Sequence, residues 1–170
     1  MYLDLREFET FPAEAEIEVE ADNFDYESDN FALKDLVKVR LSIQQIGEEF
    51  YCQGQMTVPV EEECSRCLSL FDAELTNDVS LIIKLDESRS NLTADNDDNN
   101  VIYLKPGEHA VDLREIVREA IILAIPIKPL CNPDCRGLCT QCGANLNEEN
   151  CGCKTDEHDD RWEGLKGLLE

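Results

Sequence analysis

From Glu14 to Ala21 the chain alternates without a break: Ala15, Ile17, Val19 and Ala21 on one side, Glu14, Glu16, Glu18 and Glu20 on the other. A period of two predicts a half-buried strand with one acidic face. An Asp- and Asn-rich turn at 22–30 follows. Leu36–Ile43 then alternates again, with Val37, Val39, Leu41 and Ile43 on one face, and Gly47-Glu48-Glu49 reads as a turn. Phe50, Cys52, Gly54, Met56 and Val58 share the inner face of the next predicted strand. That places Cys52 in the core, where a free thiol behaves as a small hydrophobe. Pro59 and Glu61–Glu63 lead into Cys64-Ser65-Arg66-Cys67, at a bend between strands. Phe71, Ala73 and Leu75 predict one further strand, and Val79, Leu81, Ile83 and Leu85 another.

Residues 86–100 hold one leucine and no aromatic, too little apolar surface to order the segment, and read as an acidic loop. Val101–Leu104 is a short apolar strand ended by Pro106-Gly107. Asp112 and Glu115 fit the N-cap and N3 places of a capping box, and Leu113, Ile116, Val117, Ala120, Ile121 and Ala124 follow at helical spacing. The helix is expected over about 112–125, stopped by Pro126 and packed on the sheet. Residues 156–170 predict a short helix with Trp162, Leu165, Leu168 and Leu169 along one edge. The expected fold is α+β: an antiparallel meander, partly closed and barrel-like, with one packing helix and a cysteine-rich zinc-binding tail. Its divisions are an acidic β-rich body at 1–130, the cysteine segment at 131–155 and the C-terminal helix at 156–170.

Composition changes this picture in one respect. Of 170 residues 42% are apolar, enough for a core, but the net charge is −23. Residues 1–125 carry 29 Asp and Glu against 10 Lys and Arg, whereas residues 126–155 carry three of each. Such a body repels a phosphate backbone, since non-specific nucleic-acid binding draws on clustered cations, and it attracts a basic partner. Acidity also serves solubility alone. The opening residues have neither a basic n-region nor an apolar h-region, and no apolar run approaches the roughly 20 residues of a spanning helix. A soluble, cytoplasmic protein without membrane contact is expected.

Nine cysteines in a reducing compartment point to metal rather than disulfides. Six lie between Leu130 and Cys153. Cys139-Thr140-Gln141-Cys142-Gly143 is a Cys-x-x-Cys turn in which backbone N–H groups point at the first sulfur and glycine supplies the positive φ that closes the loop. Eight paired cysteines suit two closed tetrahedral zinc sites of four thiolates each. One would join Cys64 and Cys67 to Cys131 and Cys135, stapling the meander to the helix exit. The other would be local, from Cys139, Cys142, Cys151 and Cys153. An alternative places Cys131, Cys135, Cys139 and Cys142 together. Neither Cys-x-x-Cys has the strand–motif–helix setting of a redox site. His109 and His158 lie outside both clusters and are expected on the surface. No phosphate loop or nucleophile elbow is present, so neither catalysis nor a small-molecule substrate is expected.

Cys64-Ser65-Arg66-Cys67-Leu68, the helix opened by Asp112-Leu113 and ended at Pro126, Pro129-Leu130-Cys131, Asp134-Cys135-Arg136-Gly137-Leu138-Cys139, Cys142-Gly143-Ala144-Asn145-Leu146-Asn147 and the final Cys151 and Cys153 together resemble the YceD family of large ribosomal RNA subunit accumulation proteins. The likeness covers roughly residues 35–153. Thr140 stands where the family often has proline, and some relatives lack much of the later cluster. The resemblance implies a part in making or stabilising large-subunit rRNA.

Combined with the charge, it leads to an acidic, zinc-stapled accessory protein of ribosome biogenesis that engages a basic ribosomal protein or a large-subunit assembly intermediate. The competing class is a zinc ribbon that binds rRNA or other nucleic acid directly. Arg66 and Arg136, beside the thiolates, are expected either to offset their charge or to form a small RNA-touching patch.

Overall fold

The computed structural model describes residues 1–24, 31–85 and 100–153. Residues 25–30 of the expected turn, nearly all of the expected loop at 86–100, His158 and the expected C-terminal helix lie outside them. In chain order the elements are β1 (Tyr2–Asp4), β2 (Ala13–Glu20), β3 (Phe31–Leu33), β4 (Leu36–Ile46), β5 (Glu49–Glu63), β6 (Leu70–Leu85), β7 (Val101–Leu104), β8 (Ala110–Asp112) and α1 (Arg114–Ala124). The main sheet runs β2-β4-β5-β6-β7, with β3 also paired to β5, and β1 with β8 forms a separate ribbon. Among the described residues both ends of the main sheet stay open, so the barrel-like expectation resolves there to an open, mostly antiparallel sheet with one helix.

The period-two reading is realised where cross-strand partners are apolar. Ile17 faces Val39, Val39 faces Met56, and Cys52 lies between Ile43 and Leu81. Val37, Val39, Ile43, Cys52, Met56, Val58 and Ile83 have no accessible surface. Leu113, just before α1, and Val117 and Ile121 of α1 complete this core. Asn77, at an inner position of β6, donates its amide to the carbonyl of Ala120 at 2.9 Å and fastens the helix to the sheet. Gly54 is required by closeness of the strands: a Cβ there would stand 1.8 Å from the Arg40 carbonyl oxygen.

Three differences from expectation have physical causes. The segments read as two strands, around Phe71–Leu75 and Val79–Leu85, are one, because β5 pairs with β6 without interruption from Glu49↔Lys84 to Glu63↔Leu70. Pro59 does not end β5, since it sits where the other neighbour changes from β4 to β3 and its carbonyl accepts from Lys34. β7 joins β6 in parallel, which the connection of residues 86–100 is long enough to permit; such a crossover takes about a dozen residues or more.

The capping box is not formed. Asp112 is held extended opposite Tyr2, so Leu113 becomes the N-cap, with φ −94° and ψ 0°. The Asp112 carboxylate still accepts the Arg114 N–H at 3.1 Å, while Glu115 stands near Arg118 instead of reaching back. No helix among the described residues is long and apolar enough to cross a membrane.

Candidate metal centres

The β5–β6 hairpin ends in a tight knuckle. The Leu68 N–H donates to the Cys64 carbonyl at 2.9 Å, and Leu68 takes the left-handed conformation, φ 57°. This is the turn expected of a Cys-x-x-Cys, with leucine where glycine is easier. Against it lies the loop that leaves α1: Ser65 N–H donates to the Pro129 carbonyl, and Leu138 N–H to that of Arg66. Arg66 also reaches out with its guanidinium, 2.8 Å from the Cys135 carbonyl and 3.4 Å from that of Pro133. It therefore clasps the opposing loop by its backbone. Gly137, at φ 75°, has its Cα against the Arg66 carbonyl, where a Cβ would be 3.1 Å away.

These contacts bring Cys64, Cys67, Cys131 and Cys135 together, with all four sulfurs within 4.8 Å of one another. Cys64 is 3.8 Å from Cys135, and Cys67 is 3.6 Å from Cys131. Four thiolates on metal–sulfur bonds of about 2.3 Å stand about 3.8 Å apart at tetrahedral angles. The donor set therefore fits a closed tetrahedral ion. Cys64, Cys67 and Cys135 are buried, with Phe71, Leu130 and Leu138 packed around them.

The electrostatics of the group also call for a cation. Burial raises the Cys64 thiol, but the N–H groups of Cys131, Cys67 and Arg66 outweigh it and hold it down at about 6. Burial and the neighbouring sulfurs push Cys131 up to about 12. The four ionise together only against positive charge.

The second quartet repeats the knuckle. Gly143 N–H donates to the Cys139 carbonyl at 2.9 Å, and Gly143 has φ 75°. Cys139 N–H donates to Ala144, Leu146 N–H donates to Gly137, and Leu138 bridges Asn145. Cys139, Cys142, Cys151 and Cys153 then gather within 4.8 Å. N–H groups of Cys142 and Gln141 lower the Cys139 thiol to about 6, and the sulfurs of Cys142 and Cys151 raise Cys153 to about 12. Here Cys142 and Cys153 are exposed. The alternative grouping of Cys131 and Cys135 with Cys139 and Cys142 is not the one the structure brings together.

Of the other residues singled out, Cys52 is in the core and His109 is exposed, while Arg136 extends to the side chain of Asn150 at 3.3 Å. In the sequence Asn145 and Asn147 stand out only as part of the run from Cys142 to Asn147. Both in fact carry side-chain hydrogen bonds beside the first quartet. Their spacing after Cys142 was the available signal, but loop asparagines usually bond to their own backbone.

The family model described as large ribosomal RNA subunit accumulation protein YceD matches residues 52–169. An uncharacterised protein of Mycobacterium tuberculosis is 30% identical over 134 residues, covering 79% of this chain and 62% of that protein. The chain thus spans less than two thirds of the length of that relative. The large ribosomal RNA subunit accumulation protein YCED homolog 1, chloroplastic, of Arabidopsis thaliana is 33% identical over 69 residues, 41% of this chain and 22% of the plant protein. Its namesake in Zea mays is 32% identical over 97 residues, 56% and 31% of the two chains. No solved structure matches.

Proposed function

The chain belongs to the YceD family, and from that premise we propose that it is an accessory protein of ribosome biogenesis, supporting accumulation of large-subunit rRNA by engaging a basic partner. The partner class is a ribosomal protein or a large-subunit assembly intermediate, met in the cytoplasm. The observation that carries this is the distribution of charge over the fold. Glu14, Glu16, Glu18 and Glu20 stand in a row on the exposed face of β2, in a body whose acids far outnumber its bases, while the cysteine segment is neutral. Lys38 and Arg40 of β4 are already paired with Glu18 and Glu16, which leaves little free cation there for a phosphate backbone.

Both quartets are proposed to hold zinc, the first through Cys64, Cys67, Cys131 and Cys135, the second through Cys139, Cys142, Cys151 and Cys153. Four thiolates leave no open coordination position, so the ion's role is structural and the protein is proposed not to be an enzyme. Bound zinc contributes a crosslink that joins the β5–β6 hairpin to the exit of α1. Within this scheme Arg66 is a backbone clasp rather than an RNA contact, because its guanidinium is directed at the carbonyls of Cys135 and Pro133.

The test is capture from ribosome-assembly fractions on the immobilised chain, before and after nuclease. Retention of a basic ribosomal protein after nuclease, with affinity for that purified protein alone, is expected. Loss of all captured protein with the RNA, together with a steeply salt-dependent affinity for naked rRNA, would replace this reading with direct RNA binding.

A further inference from the structure

We infer that the two quartets take up metal cooperatively, because Asn147, in the loop closed by the second, is a positioning residue for the first. The inference rests on the reading of both quartets as metal sites. Asn147 lies between Cys142 and Cys151, yet its side chain serves the other quartet. Its Nδ2 donates to Cys135 Sγ at 3.3 Å, and its Oδ1 accepts the N–H of Arg136 at 2.8 Å. An N–H donor to a ligand sulfur spreads the thiolate's charge and fixes its orientation, and loss of such an outer partner typically costs about 10–100-fold in metal affinity. Arg136 directly follows Cys135, so the second bond holds the same ligand from its backbone side.

The loop that presents Asn147 is built on the second quartet. Asn145 Oδ1 accepts both the backbone N–H and the side-chain amide of Asn147, at 3.1 and 2.9 Å. Asn145 is itself placed by its bridge to Leu138 and by Cys139 N–H on Ala144, both beside Cys139. The far end of the loop is tied back by Cys151 and Cys153 to Cys139 and Cys142. Arg136 reaches this end too, at Asn150. Closing the second quartet around an ion therefore orders the loop and sets Asn147 on Cys135. With the second quartet open, the first ion must bear that ordering cost itself. Coupling of this kind is reciprocal: whatever the second ion does for the first, the first does for the second.

The experiment is zinc titration of the full chain against a competing chromophoric chelator. Four proteins are compared: wild type, Cys64→Ser, the double variant Cys151→Ser/Cys153→Ser, and Asn147→Ala. Circular dichroism confirms the sheet in each. The product of the two wild-type association constants should exceed the product of the single-site constants, from Cys64→Ser and from the double variant, by about tenfold or more. Asn147→Ala in an otherwise wild-type chain should lower the wild-type product by a comparable factor, and should change little in the double variant.

Two ions bound with a product equal to that of the single sites would overturn the coupling while leaving the metal reading intact. An unchanged product in Asn147→Ala would overturn the role of Asn147, and this arm needs no cysteine variant to fold. A wild-type chain that binds no zinc would overturn the metal reading and the coupling with it.

Discussion

The two Cys-x-x-Cys knuckles are the same turn in two settings. In each, the residue after the second cysteine donates its N–H to the first cysteine's carbonyl at 2.9 Å and takes a positive φ. The knuckle at Cys64–Leu68 caps a hairpin of 15- and 16-residue strands and closes on a loop from another part of the chain. Three of its quartet's four sulfurs are buried. The knuckle at Cys139–Gly143 closes on its own downstream residues, and two of its quartet's cysteines are exposed. One local motif therefore has two thermodynamic meanings. In the first it ties distant elements, so an ion held there would couple its binding to folding of the body; in the second an ion would order chiefly a local loop.

The largest expected effect follows from that contrast. Cys64→Ser should leave one zinc per chain and lower the stability of the body by more than about 4 kcal/mol, the range in which loss of a structural metal falls. Cys151→Ser should also leave one zinc, but cost the sheet only about 1–2 kcal/mol, through the weaker first site alone. Elemental analysis with thermal and denaturant unfolding would read both. Equal destabilisation by the two changes would break the comparison, because the second quartet would then be as much a part of the body as the first.

The first quartet was legible because paired cysteines are a discrete chemistry: two pairs far apart in the chain announce a closure that hydrophobic pattern alone does not. The central strands were legible because inner and outer positions differ so sharply between Val37 and Ile43. Less legible was the approach to the knuckle. Glu61, Glu62 and Glu63 read only as an acidic lead into the first Cys-x-x-Cys, yet they continue β5, and the alternation carries Glu62 to the inner face at 3% exposure. Burial raises its carboxyl, and Oε1 has no hydrogen-bond partner among the described residues. Strand pairing on both sides, Phe31 on β3 and Phe71 on β6, overrides the local preference of three consecutive acids. The ribbon of β1 and β8 escaped notice since three residues are too few to display a period. Asn147 escaped because its partner belongs to the other quartet.

A smaller effect tests whether the two turns are truly equivalent. Leu68 stands at a conformation that costs an L-residue with a Cβ about 1–2 kcal/mol, and its side chain is 56% exposed. Leu68→Gly should therefore stabilise the first knuckle by up to about 1 kcal/mol, the rest being offset by lost apolar cover and a freer unfolded chain. Gly143→Ala should do the reverse to the second. A Cβ at Gly143 meets no atom within 4 Å, so its cost of about 1 kcal/mol is conformational and should be seen as weaker zinc binding at the second site. Unfolding of Leu68→Gly and chelator competition on Gly143→Ala would measure the two. Opposite signs sharpen the equivalence. A loss of stability in Leu68→Gly would show that the leucine's contacts outweigh its backbone.

The smallest expected effect belongs to the ninth cysteine and separates the core thiol from the quartet thiols. Cys52 has no accessible surface, and burial pushes its thiol up to about 11. At pH 8, after chelation of metal, alkylation should mark the exposed Cys142 readily and leave Cys52 unmodified while the sheet persists. Peptide mapping after quenched labelling would read this. The sign of the pH dependence follows from the raised value. Below about 9 both folded and unfolded states hold the proton and Cys52 adds no pH dependence; between about 9 and 11 the unfolded thiol ionises first, so stability falls as pH rises. Cys52→Ala should be less stable throughout, because it leaves a small cavity, but its stability should decline less than wild type over that interval. Labelling of Cys52 at the rate of Cys142, in a chain still folded, would mean that the sheet opens as easily as the loop.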